Sequence, residues 1–225
     1  MIENAEDLTL DELRLALAPA IADSAVFDGW SDEALTMAAE MEGVDPDVAR
    51  LAFKATSNSG RAMVMVNAWI EAVDVRMAEE WPKEKLGELK IRERIRTLVQ
   101  FRLDAVAGQE EAVRRAMSIM AMPQNAAQSL RLGWRSADIM WRLAGDTATD
   151  YNHYTKRTIL AGLYSATLTF FINDESEDKA KTKAFLERRI EGVMKFEKIK
   201  AKLLPADRES FSVTRFLGRL RYPAK

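Results

Sequence analysis

The residues that could do acid–base or nucleophilic chemistry gather in one short polar stretch near residue 150. It holds His153, the single histidine, with Lys156 and Arg157 beside it, and the chain has no cysteine. Nucleophilic catalysis through histidine would therefore depend on His153 alone. Asp146 and Asp150 suit a helix start as well as they suit catalysis, and a single histidine is too few for the histidine ligands of a typical zinc or di-iron site. We expect no enzymatic activity, no metal site and no cofactor.

This polar stretch begins a long predicted helix over residues 147–173. Gly145 and Asp146 interrupt the preceding helix, and Thr147 offers a capping side chain. Residues 158–173 contain no charge, so the helix lacks a hydrophilic face and is expected to be buried all round. At about 1.5 Å per residue the uncharged run spans roughly 24 Å, less than a bilayer needs. The sequence therefore predicts the central helix of an all-α core.

Four strings around this helix carry a family resemblance. They are AGD at 144–146, D-x-N-x-Y-T-K-R at 150–157, N-D-E-S-x-D at 173–178 and F-L-x-R-R-I at 185–190. This ordered set closely resembles the ubiquinone (coenzyme Q) biosynthesis accessory proteins often called Coq-nine. The resemblance implies a fold similar to TetR-type transcription regulators, with lipid bound instead of DNA. It also implies a surface that docks a quinone-modifying hydroxylase, although His153 stands where the family usually has tryptophan.

Two sets of residues follow from this resemblance. Methionine and aromatic side chains at helical spacing are compatible with a filled core or with an apolar cavity between facing helices, and periodicity leaves both open. The resemblance favours the cavity, with nine candidate lining residues: Met117, Met120, Met140, Trp141, Leu160, Leu163, Tyr164, Leu168 and Phe171. The expected partner-binding surface consists of Asp150, Asn152, His153, Tyr154, Lys156 and Arg157.

The fold class that we predict is all-α, a TetR-regulator-like helical bundle. Apolar periodicity predicts nine or more helices, including single helices over 83–106 and 176–204, and no segment shows sustained β alternation. The predicted parts are a helix-turn-helix-like part at 1–81, a bundle for lipid binding and dimerisation at 82–204, and a basic amphipathic tail helix at 205–225.

The helix-turn-helix pattern near the N-terminus invites a DNA-binding interpretation. Ser31 caps one helix, Gly43 ends it, and Pro46 begins the next. Residues 1–49, however, hold thirteen acidic side chains and Arg14 as their single basic one. Such a surface would repel phosphates, so we expect no nucleic-acid binding. A ligand-responsive TetR-type transcription regulator remains the alternative function.

The C-terminal tail places apolar residues on one helical arc and arginines on the other. This pattern is typical of a helix at a membrane surface, but the arc could equally pack on the chain itself or on a second copy. The expected membrane-contact residues are Val213, Phe216, Leu217 and Leu220.

We therefore expect a non-catalytic homodimer that binds an isoprenoid quinone or phospholipid. It would present a quinone precursor to a membrane-associated hydroxylase. The acidic N-terminus shows neither an apolar signal core nor the arginine richness of a transit peptide. From this we predict a cytoplasmic location, peripherally associated with the inner face of the bacterial membrane.

Overall fold

The computed structural model describes residue 2 and residues 5–55, 58–147 and 151–203, without the side chains of 6, 58, 59, 151, 152 and 196–203. Over these residues it is all-α, as predicted. The ten α-helices are α1 (Leu10–Asp28), α2 (Asp32–Glu42), α3 (Pro46–Ala52), α4 (Asn58–Glu80), α5 (Lys83–Gly87), α6 (Ile91–Asp104), α7 (Glu110–Met120), α8 (Ala126–Leu143), α9 (Tyr151–Phe171) and α10 (Ala180–Leu203). Short 3-10 helices lie at Ala5–Asp7, Pro123–Asn125 and Glu177–Lys179.

The first two helices begin and end where the sequence places capping residues. Thr9 and Glu12 form a reciprocal capping box at the start of α1, and the Ser31 hydroxyl accepts from the Ala34 amide at the start of α2. Gly29 and Gly43 end α1 and α2 with φ of 69° and 74°. Glycine suits both positions, because a side chain is disfavoured at positive φ.

The prediction of a single helix over 83–106 is wrong, because the structure has two helices there, α5 and α6. The guanidinium of Arg94 donates to the carbonyl oxygens of Gly87 and Leu89, at 2.9 and 2.8 Å. A third donor reaches the Ala144 carbonyl at 2.8 Å. These bonds satisfy carbonyls that a continuous helix would have used internally, and they attach the break to the end of α8. Periodicity alone does not reveal such a long-range contact.

The α9 helix is buried on one side only within the single chain. Leu160, Thr167 and Phe171 are buried, whereas Thr158, Gly162, Ser165 and Thr169 are exposed. The expectation that this helix is buried all round is therefore wrong for the single chain. Small and hydroxyl-bearing side chains form the exposed stripe, and these tolerate water although they carry no charge. No helix in the described part of the chain is long and apolar enough to cross a membrane.

A tryptophan pair joins the N-terminal helices to the bundle. The ring centroids of Trp30 and Trp69 lie 5.2 Å apart, and Trp30 Nε1 donates to the Ala112 carbonyl at 3.0 Å. Trp69 belongs to α4 and Ala112 to α7, so Trp30 contacts both. The buried apolar residues of α1 to α4 consequently continue into the core formed by α6 to α10.

The helix-turn-helix comprises α2 and α3, and its exposed surface is acidic at the N-terminus of α3. Asp45 caps α3, and Asp47 follows in the first turn. Arg50 Nη1 donates to Asp47 Oδ1 at 2.7 Å, while its Nη2 donates to the Thr36 hydroxyl at 2.9 Å. The first basic side chain of the motif is thus engaged within the motif instead of being held out toward a phosphate.

We predict no measurable binding to duplex DNA at physiological salt, because carboxylates at the start of α3 would face the phosphates. Fluorescence anisotropy with labelled genomic fragments would check this, with a basic helix-turn-helix regulator as positive control. Salt-dependent, sequence-selective binding would contradict the prediction and favour a transcription regulator.

Candidate functional site

An apolar cavity lies where α4, α6, α7, α8 and α9 meet. Its volume is about 270 Å³, and a narrower compartment of about 60 Å³ adjoins it. The two compartments share six lining residues, which are Ile70, Arg102, Met117, Met120, Tyr164 and Leu168. Ligand cavities commonly occur between the helices of bundles, so this cavity is the candidate ligand site.

The structure separates the nine predicted lipid-contact residues into three groups. Met117, Met120, Tyr164 and Leu168 line the cavity. A separate gap of about 70 Å³ beside α10 is lined by Trp141, Leu160 and Leu163. Met140 and Phe171 are buried in the core and line neither space.

Sequence reasoning missed the contribution of α4 to the cavity wall. Val66, Trp69, Ile70 and Val73 line the narrower compartment. Val66, Ile70 and Val73 recur at helical spacing, so the signal was present in the periodicity of the sequence. It indicated a buried face without indicating that part of this face borders empty space.

A buried polar group interrupts the apolar wall at Arg102. Arg102 Nη1 donates to Asp74 Oδ1, and the Ser136 hydroxyl donates to Asp74 Oδ2 at 3.2 Å. Burial raises the pKa of Asp74, although Arg102, Arg135 and Ser136 partly oppose the rise. Burial would lower the pKa of Arg102, but Tyr164 and Asp74 outweigh it and raise that pKa. The guanidinium therefore stays charged inside the protein.

A second polar cluster fixes the beginning of α9. Arg157 is only 2% exposed, and it donates to Asp138 Oδ1 at 2.5 Å and to Asp146 Oδ2 at 3.0 Å. Lys156 Nζ donates to Asp146 Oδ1 at 2.7 Å. Burial alone would raise the pKa of Asp146, but Lys156 and Arg157 outweigh burial and lower it. The cluster therefore attaches α9 to α8 and to the turn between them.

Next to this cluster, aromatic side chains form a surface that we call the aromatic surface, comprising Trp134, His153 and Tyr154. The Trp134 ring centroid lies 6.2 Å from that of His153 and 5.8 Å from that of Tyr154. Tyr154 is 61% exposed, and Leu130, one helical turn before Trp134, is 76% exposed. Exposed apolar groups that cluster in this way are typical of interaction surfaces.

The predicted partner-binding residues have different positions. His153 and Tyr154 belong to the aromatic surface, and Lys156 remains partly exposed beside it. Arg157 is buried and supports the surface from below. Asp150 and the side chain of Asn152 lie outside the described residues, as do the predicted membrane-contact residues Val213, Phe216, Leu217 and Leu220.

Among the residues whose side chains are described, no group of three or more histidine or carboxylate side chains could hold a metal ion.

Comparison with known structures defines the fold class first. The TetR transcriptional regulator from Nitrosomonas europaea matches with a TM-score of 0.63 and 24% sequence identity, over 81% of this chain and 98% of the regulator. The fold is therefore TetR-like, as the sequence predicts.

Sequence comparison then gives the family. Residues 126–197 match the COQ9 family model. The ubiquinone biosynthesis protein COQ9 of Rattus norvegicus is 33% identical over 74% of this chain and 54% of its own length. The Homo sapiens protein of the same name is 31% identical over 74% of this chain and 52% of its own length. The chain therefore belongs to the COQ9 family, as the resemblance implies. It spans only about half the length of these relatives.

The predicted bacterial location is wrong. The COQ9 relatives from rat, human and Dictyostelium discoideum are named as mitochondrial proteins, which conflicts with an association with the inner face of a bacterial membrane. The prediction was drawn from the composition of the first residues. Because the chain covers only about half of each of these relatives, those residues are no guide to a compartment.

The cluster around Arg157 predicts a pH-dependent stability. Asp146→Asn should lower the free energy of unfolding at pH 7 by roughly 1–3 kcal/mol, because buried Arg157 loses a charged acceptor. The folded-state pKa of Asp146 is lowered, so its contribution is present above the ordinary aspartate pKa of about 3.9. It is lost as pH falls through the lowered value. Urea unfolding should therefore show the difference from wild type shrinking below pH about 3.9.

The matched control is Asp11→Asn, which removes the exposed pair with Arg14. It should change the free energy of unfolding by less than about 1 kcal/mol. An Asp146→Asn deficit that is the same at every pH would contradict the assignment.

Proposed function

We propose that this chain is a non-catalytic, lipid-binding accessory protein of ubiquinone biosynthesis. It holds an isoprenoid quinone precursor, or a phospholipid, in the cavity between α4 and α9 and presents the precursor to a membrane-associated hydroxylase. The cavity is the observation that carries this proposal. The names of the COQ9 relatives, which specify ubiquinone biosynthesis, support the pathway.

The dimensions of the cavity fit part of such a ligand. An engineered apolar cavity of about 150 Å³ holds benzene, so a volume of about 270 Å³ has room for a substituted six-membered ring. A long isoprenoid chain is far larger, so most of it must lie outside this space. Met117 and Met120 line both compartments, and methionine side chains adapt readily to irregular apolar shapes.

We propose that the hydroxylase docks on the aromatic surface, which shares one helix, α9, with the cavity. Tyr154 of the aromatic surface and Tyr164 of the cavity wall both belong to α9. Ten residues of α-helix correspond to roughly 15 Å. A hydroxylase docked on the aromatic surface would therefore contact α9 roughly 15 Å along the helix from the bound ligand.

The homodimer is also a proposal, and the exposed stripe of α9 supports it. A groove of about 450 Å³ between α9 and α10 is lined by Gly162, Ala166 and Gly192 together with Arg188 and Arg189. Small residues allow helices of a second copy to approach closely, and a two-fold axis would pair this face with itself. Contact of the tail with a bilayer stays a prediction.

The cavity predicts that filling it displaces ligand. Ala161 lines the cavity, so Ala161→Phe should reduce co-purified lipid by at least about threefold while the protein stays folded, because the new ring occupies ligand volume. Mass spectrometry of organic extracts would give the amount of lipid per chain. Ala16→Phe on the exposed side of α1 is the matched control and should leave lipid unchanged. Equal lipid in both variants would contradict the proposed site.

The aromatic surface predicts a specific loss of hydroxylase binding. Tyr154→Ala should weaken binding to the ubiquinone-biosynthesis hydroxylase of the same organism at least about tenfold, because exposed aromatic anchors dominate many interfaces. Calorimetric titration of the two purified proteins would measure this. Phe27→Ala removes another ring, 80% exposed, and should have no effect. If the two variants bind equally, the docking surface lies elsewhere.

A further inference from the structure

The wall of the cavity contains a neutralised ion pair. Arg102 and Asp74 are 2% and 4% exposed, and one guanidinium nitrogen donates to the carboxylate. The carbon at the centre of the guanidinium lies 4.8 Å from the centroid of the Tyr164 ring. Because Arg102 lines both compartments, this ion pair places a charged group in a wall that is otherwise mostly apolar.

One donor of this pair is unused. Arg102 Nε is buried and has no hydrogen-bond partner among the described residues. A buried N–H without an acceptor is unfavourable. The two carboxylate oxygens of Asp74 already accept hydrogen bonds from Arg102 Nη1 and from the Ser136 hydroxyl. An acceptor that arrives with a ligand would complete the group.

The charges around Arg102 favour a neutral ligand group over an anionic one as the acceptor for Arg102 Nε. Asp74 already offsets the charge of Arg102, and nearby Arg135 pairs with Glu71 at 3.4 Å. An anionic group would lose its hydration on entry, and it would meet a carboxylate as well as a guanidinium. A neutral oxygen needs one donor and carries no such cost.

We propose that Arg102 is the specificity-determining residue of the cavity, where it binds a neutral carbonyl or phenolic oxygen on a six-membered ring. This inference rests on the proposed ligand-binding function and adds to it the head group and the residue that recognises it. Asp74, Ser136 and Tyr164 act as positioning residues that hold the guanidinium at the cavity wall. Anionic heads of similar size are disfavoured there.

Three ring compounds of matched shape test this inference. They are tetramethyl-1,4-benzoquinone, 1,2,4,5-tetramethylbenzene and 2,3,5,6-tetramethylbenzoate, which share the methylated ring and differ in their oxygens and charge. Calorimetric titration of lipid-stripped protein should show the quinone binding about tenfold more tightly than the hydrocarbon. The benzoate should bind more weakly than the quinone.

The test variant is Arg102→Met with Asp74→Leu, since replacing a buried ion pair by apolar residues of similar size is often tolerated. Its quinone-to-hydrocarbon affinity ratio should fall to about one. The matched control, Arg115→Met with Glu111→Leu, removes a pair that does not line the cavity and should keep the tenfold ratio. Arg102→Lys retains a charge beside Asp74 but lacks Nε, and it should also lower the ratio if the double variant does not fold.

The outcomes separate this inference from the proposed function. A ratio near one in the wild type, with clear hydrocarbon binding, would overturn the role of Arg102 and leave an apolar ligand site. A tenfold quinone-to-hydrocarbon ratio that persists in the folded Arg102 variants would also overturn the role of Arg102. Failure of the wild type to bind any of the three rings would overturn both the role of Arg102 and the cavity as a ligand site.

Discussion

The buried guanidinium of Arg157 is the interaction on which the arrangement of α9 depends. It bonds to Asp138 on α8 and to Asp146 in the turn before α9, so it joins three consecutive segments at one point. A buried charge is tolerated only when it is paired and hydrogen-bonded, and both carboxylates meet that need here. Because α9 carries Tyr164 of the cavity wall as well as His153 and Tyr154 of the aromatic surface, the position of these side chains follows from this pairing.

The helix class and most helix starts could be predicted from the sequence, because caps and apolar periodicity are local signals. Ser31 at the start of α2 and Gly43 at its end are examples that the structure confirms. The break between α5 and α6 was missed, because Arg94 holds it against the Ala144 carbonyl, which is distant in the chain. For the cavity, Met117, Met120, Tyr164 and Leu168 were predicted on the family resemblance. Whether a buried stripe meets side chains or empty space is set by tertiary packing, and this is why α4 and Arg102 were missed.

In the TetR-like fold of this chain, the start of α3 is acidic, and the basic side chain of α3 is engaged within the motif. In α3 the basic side chain Arg50 is bonded to Asp47 and Thr36. The tryptophan pair still connects the helix-turn-helix to α7, so this part of the chain contributes to one continuous core. On our account, the same helices that would transmit a ligand signal to DNA in a regulator here enclose a ligand next to a docking surface.

The most direct test of the account is the crystal structure of the protein purified without lipid stripping, with native mass spectrometry of the same sample. If the cavity binds lipid as we propose, the crystal structure will show density for a ring or an apolar chain between Met117, Met120 and Tyr164, and the mass spectrum will show one bound lipid per chain. A mass spectrum of lipid-free protein, together with a cavity that is empty or closed by rearranged side chains, would contradict it.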